Sequence, residues 1–192
     1  LLMAAVLAEG RTVLRNAARE PEITDLVAFL RGMGAEIEGD DTSPLVINGV
    51  SELAASHYSV MPDRIEAGTF LVAAAATRGR IMVENANAEH LGLVLGKLRD
   101  AGVDVTVEGN TITADMTEGQ LTSVDLITAP YPGFPTDLQA QFTALNVVAA
   151  GVGRITETIF ENRLMQEIGA ILTKCVGLYL NVAEKHGSQS FW

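Results

Sequence analysis

The sequence predicts an α/β protein with Ala-rich helices buried and sheets flanking them. One order of elements recurs along the chain, and the most continuously apolar segments have helical rather than strand character. A doubly wound parallel sheet would instead carry its strands as continuous apolar runs. The first unit opens with an apolar, Ala-rich stretch from Leu2 to Glu9-Gly10, then the short strand Thr12-Val13-Leu14. A helix follows from Glu22 to Met33, with Ile23, Leu26, Val27 and Leu30 on one face. Gly34-Ala35-Glu36-Ile37 and Leu45-Val46-Ile47-Asn48-Gly49 complete it as strands.

The second unit repeats that order. The helix containing Leu71 to Thr77 is small-residued and apolar all round, which suits burial under close neighbours. Arg80-Ile81-Met82-Val83 is a strand, and Leu91, Val94, Leu95 and Leu98 mark a helix from about Ala88 to Ala101. Gly102-Val103-Asp104-Val105 and Thr111-Ile112-Thr113-Ala114 follow as strands. A third unit begins at Gln139 and runs through Gly151 and Gly153 to Ile155–Phe160. Gly10, Gly79 and Gly151 or Gly153 stand where a left-handed residue should end each opening helix. A boundary is predicted near Met61-Pro62-Asp63-Arg64, where proline turns Met61 away from helix and Asp63 can cap the next one.

Composition narrows the function classes. Apolar residues make up 48% of the chain and charged ones 19%, which excludes disorder. Mean hydropathy is +0.24, yet no apolar run approaches the ~20 residues of a membrane span. A net charge of −11 offers no basic field for nucleic acid. The one cysteine, Cys175, lies on an apolar face and reads as packing; a cytoplasmic location is expected. His57, His90 and His186 lie far apart with no ligand spacing, which favours surface or structural roles; no metal and no other cofactor are expected. Gly151-Val152-Gly153 follows a helix and lacks a third glycine, so it is not read as a dinucleotide fingerprint. Asp40-Asp41 reads as a solvated turn, and Glu20 and Glu22 complement the start of a helix.

Three of the six prolines sit together in Ala129-Pro130-Tyr131-Pro132-Gly133-Phe134-Pro135, a rigid loop opening onto a helix near Leu138. Thr136 or Asp137 can cap that helix; alternatively Asp137 is a general base beside a substrate hydroxyl. From Leu164 to about Lys185, apolar residues recur at helical spacing, predicting an amphipathic tail helix.

Arg19-Glu20-Pro21-Glu22-Ile23, Pro62-Asp63-Arg64-Ile65-Glu66, the run Phe134 to Phe142 and Thr156 to Arg163 closely resemble the UDP-N-acetylglucosamine 1-carboxyvinyltransferase family. The likeness covers residues 1–163, with Ala67 standing where members usually carry threonine. It implies inside-out α/β repeats of the enolpyruvyl transferase type: residues 1–61 ending a first domain, 62–163 starting a second, and 164–192 an unmatched helical tail. It implies transfer of enolpyruvate from phosphoenolpyruvate to UDP-N-acetylglucosamine in peptidoglycan synthesis, and hence a part in cell shape and division. By resemblance Asp137 lies at the sugar hydroxyl as catalytic base, Ile159 contacts the nucleotide sugar and Arg163 assists anionic substrate. The family's cysteine acid, N-terminal lysine and basic nucleotide loop lie upstream of the position matched by Leu1. The chain is therefore expected to be a fragment, inactive alone. The alternative is a non-catalytic remnant or interaction module that packs or self-associates through the tail.

Overall fold

The computed structural model describes residues 1–39, 44–160 and 163. Asp40-Asp41, the tail helix, Cys175 and His186 lie outside the described residues.

Two three-stranded antiparallel sheets repeat one topology. In the first unit α1 (Leu2–Ala5) precedes β1 (Arg11–Leu14), α2 (Pro21–Gly32), β2 (Glu36–Glu38) and β3 (Leu45–Asn48). The sheet order is β1-β3-β2, so the last strand sits between the other two. In the second, α3 (Arg64–Ala76) precedes β4 (Arg80–Val83), a 3-10 turn (Ala88–Leu91), α4 (Gly92–Asp100), β5 (Asp104–Glu108) and β6 (Thr111–Asp115). Its order, β4-β6-β5, is the same. A parallel pair, β7 (Leu126–Ile127) and β8 (Ile155–Thr156), flanks the 3-10 turn Thr136–Leu138 and α5 (Gln139–Val148).

The repeat extends to its hydrogen bonds. Both α2 and α4 end in a Schellman cap: Gly34 and Gly102 have positive φ, and Ala35 and Val103 donate back to Leu30 and Leu98. Arg31 then donates to the Ile37 carbonyl and Arg99 to that of Val105, tying each helix to the strand that follows.

Two apolar clusters form, one around Val6, Leu30 and Ile47, the other around Leu71, Leu98, Ile112, Leu138 and Phe142. Asp63 caps α3 as expected, its carboxylate accepting from the Ile65 and Glu66 amides. Burial of α3 is one-sided, however. Leu71, Val72 and Ala75 face α4, α5 and the β4–β6 sheet, whereas Phe70 and Ala73 are exposed, because nothing among the described residues covers that side. The left-handed residue after α3 is Arg78 (φ 57°), not Gly79. The helix predicted over 88–101 starts instead as a 3-10 turn capped by the Asn87 side chain. No helix among the described residues is long and apolar enough to cross a membrane.

Candidate functional site

The site is built on the proline-rich loop and the two segments that hold it. Phe134 is buried and meets Phe142 of α5 edge-on, with centroids 5.1 Å apart. Leu138, fully buried, lies over Gly68 of α3, where a Cβ would come within 2.7 Å of its Cδ1. The glycine lets the residue beside Asp137 seat directly on the helix. At the loop's other end the Thr128 amide donates to Thr156, extending the β7–β8 pairing.

Asp137 is exposed and caps neither the 3-10 turn nor α5; no side-chain cap is present at either N-terminus. The capping reading of Thr136 and Asp137 is therefore corrected. Asp137 Oδ1 accepts from Arg163 Nη1 at 3.1 Å, while the Thr136 hydroxyl turns toward Glu157. Arg163 also donates to Thr136 Oγ1 at 3.3 Å, and its guanidinium lies 5.7 Å from the centre of the Phe160 ring.

Asp137 and Ile159 line one cavity of about 140 Å³, together with Glu20, Arg64, Tyr131 and Thr136. A wider cleft of about 760 Å³ continues from it along α2, past Glu22, Asp25 and Tyr58. Asp137, Glu20 and Arg64 stand on both. The structure thus brings together all three residues singled out from the sequence: two share a cavity and the third pairs with one of them. An exposed carboxylate beside a guanidinium offers a proton acceptor next to a cation, the combination needed to take a proton from a hydroxyl near an anionic reactant.

Three residues of this region had no assigned role in the sequence. Arg64, 8% exposed, grips Glu22 through Nε at 2.8 Å and Nη2 at 3.4 Å, and its guanidinium lies 5.6 Å from the Tyr131 ring centre. Glu157 accepts from Thr136, Thr128, Ile159 and Phe160. Burial raises its pKa, but the bonds from Thr136, the Ile159 amide, Thr128 and the Phe160 amide outweigh it and hold the carboxyl below the usual glutamate range. Buried Thr128 is the third. Arg64 and Glu157 lie in strings that resemble the family, but an acidic residue between threonines does not say where its carboxylate points. The two described histidines stand apart from the Asp137–Arg163 pair: His57 is exposed, and His90 lies against Asn87. Gly153 packs against Asn146 and the Val124 carbonyl, a close-approach role.

The chain matches the family model described as EPSP synthase (3-phosphoshikimate 1-carboxyvinyltransferase) over residues 1–171. The UDP-N-acetylglucosamine 1-carboxyvinyltransferase of Cellvibrio japonicus is 59% identical over 166 residues, 86% of this chain and 40% of that protein. The protein of the same name from Actinobacillus succinogenes is 53% identical over 191 residues, 99% of this chain and 46% of that protein. The likeness therefore runs past Arg163, where the sequence reading ends it, into residues 164–192. Among solved structures, the enolpyruvyl transferase NikO from Streptomyces tendae superposes with a TM-score of 0.70 at 26% identity, covering 84% of this chain and 39% of that one. The chain spans less than half the length of these curated relatives. It belongs to the enolpyruvyl transferase family that the EPSP synthase model describes.

Proposed function

We propose that these residues carry the base side of a UDP-N-acetylglucosamine 1-carboxyvinyltransferase site, at which enolpyruvate passes from phosphoenolpyruvate to a sugar hydroxyl and phosphate leaves. The observation that carries this reading is that Asp137 and Ile159 line one small cavity while Arg163 pairs with Asp137 at its edge, in a chain whose relatives at 53–59% identity bear that name. Asp137 accepts the hydroxyl proton, Ile159 packs against the nucleotide sugar, and Arg163 holds negative charge on the second substrate. The finer architecture belongs to the same reading: inside-out repeats, a first domain ending near residue 61 and a second starting at 62. Two separate apolar clusters support that division. Peptidoglycan synthesis in the cytoplasm, and through it cell shape and division, follow from the activity.

The acid that protonates the vinyl carbon and the remaining cations are supplied from outside these 192 residues. The test is phosphate release from phosphoenolpyruvate with UDP-N-acetylglucosamine, measured on the protein of the complete reading frame and on the 192-residue polypeptide. Turnover is expected in the first and not in the second, since losing general acid catalysis alone costs about 10²–10⁴-fold. A complete protein that binds neither substrate would overturn the reading.

A further inference from the structure

We propose that Glu157 is a positioning residue, whose carboxylate fixes Asp137, Ile159 and Arg163 relative to one another through the Thr136 hydroxyl and its own backbone contacts. This rests on the reading that those three residues form the substrate site.

The geometry is specific. Glu157 Oε2 accepts from Thr136 Oγ1 at 2.8 Å. Its Oε1 accepts from Thr128 Oγ1 at 2.9 Å and from the amides of Ile159 at 2.7 Å and Phe160 at 3.2 Å. Thr128 and Thr136 stand at the two ends of the proline-rich loop, so one carboxylate staples both ends and also shapes the turn carrying Ile159. Each site residue is one link away: Asp137 follows Thr136 in the chain, Ile159 donates directly, and Arg163 donates to Thr136 Oγ1.

Hydrogen-bond direction makes the charge matter as well as the shape. An ionised carboxylate only accepts. The single Thr136 proton therefore points to Glu157, leaving the hydroxyl's lone pairs toward Arg163, which only donates. Thr128 obeys the same rule, giving its proton to Glu157 and accepting from the Thr158 amide at 2.9 Å. A glutamine here must keep its carbonyl on the side of the two amides, which places its NH₂ against Thr136. The hydroxyl must then accept there, so its proton loses the acceptor that held it away from Arg163 and the fixed direction of the relay is lost.

The experiment compares Glu157→Gln, Thr136→Val and the double variant in the protein of the complete reading frame. Each single change is expected to lower kcat for enolpyruvyl transfer about 10–100-fold in a folded protein, the scale of a catalytic group misplaced by an ångström. The double variant should be no slower than the slower single one, because both break the same relay. Undiminished kcat in a folded single variant, or losses that multiply, would overturn the proposal. A second arm needs no activity. In the ¹⁵N-labelled 192-residue polypeptide, Thr136→Val should move the Arg163 side-chain signal and leave the Ile159 and Phe160 amides in place. Glu157→Gln should move all three. An Arg163 signal unmoved by either change overturns the proposal whatever the activity, whereas absence of turnover in the unaltered protein of the complete reading frame would count separately against the functional reading.

Discussion

Asp137 and Arg163 form a pair whose side chains are 59% and 27% exposed, so solvent screens most of its attraction. Such pairs contribute about 0–1 kcal/mol to stability. Asp137→Asn keeps size but cannot take a proton at neutral pH. It should leave the melting temperature within a few degrees while turnover of the complete protein falls about 10²–10⁴-fold; matched losses of both would make Asp137 structural. Glu157 gives a different pH signature. Its folded-state pKa lies below the ordinary 4.5, so its charge contributes stability that is present above that value and lost as pH falls through the lowered one. Urea midpoints of wild type and Glu157→Gln should differ at neutral pH and converge in acid; a constant gap would exclude the charge as the cause. The string Pro135-Thr136-Asp137 and the residue Arg163 were legible in the sequence because they resemble a family pattern. Glu157 was not, since only folding brings Thr128 and Thr136, eight positions apart in the numbering, onto one carboxylate.

At the scale of elements, helical and strand periodicity placed nearly every segment, because each apolar stripe has one neighbouring layer to meet. It failed at ends, where competition is local. After α3 both Arg78 and Gly79 are available, and the backbone takes the left-handed turn at the arginine, one residue earlier than composition favours. The matched caps of α2 and α4 provide a controlled comparison. A Cβ on Gly34 would meet nothing within 4 Å, so Gly34→Ala should cost about 1–2 kcal/mol, the penalty of a left-handed L-residue. At Gly102 the same Cβ lies 2.8 Å from the Gln120 carbonyl oxygen, and the chain just beyond is held by the Thr122 amide on Ala101. Backbone must shift there. Gly102→Ala should therefore be the more damaging change in urea denaturation, although both glycines play one part in two copies of one unit. Equal costs would mean that the Gln120 segment yields freely.

For the whole molecule, the sequence locates the change from one unit to the next near Met61-Pro62 but says nothing about what joins them. Among the described residues, the hydrogen-bonded contact between side chains of the two units is Arg64 reaching back from the first turn of α3 to Glu22 in the first turn of α2. Arg64 is 8% exposed, whereas Glu22 is 46% exposed, so the partners are not equivalent. Glu22→Gln leaves a guanidinium that cannot lose its proton beside Tyr131, largely out of water. Removing one member of a fully buried pair costs about 3–5 kcal/mol, and the solvated glutamate brings the expectation below that range. Adding Arg64→Met takes away the stranded charge and refills its space with an apolar chain of similar length. Stability measured by urea should then fall for Glu22→Gln and partly recover in the double variant. Hydrogen exchange should quicken in the first turns of α2 and α3 and stay unchanged in the β5–β6 hairpin, which no part of the pair touches. If the two substitutions add, the charges act independently, and the joint between the units rests on apolar packing around Met61 and Tyr131 instead.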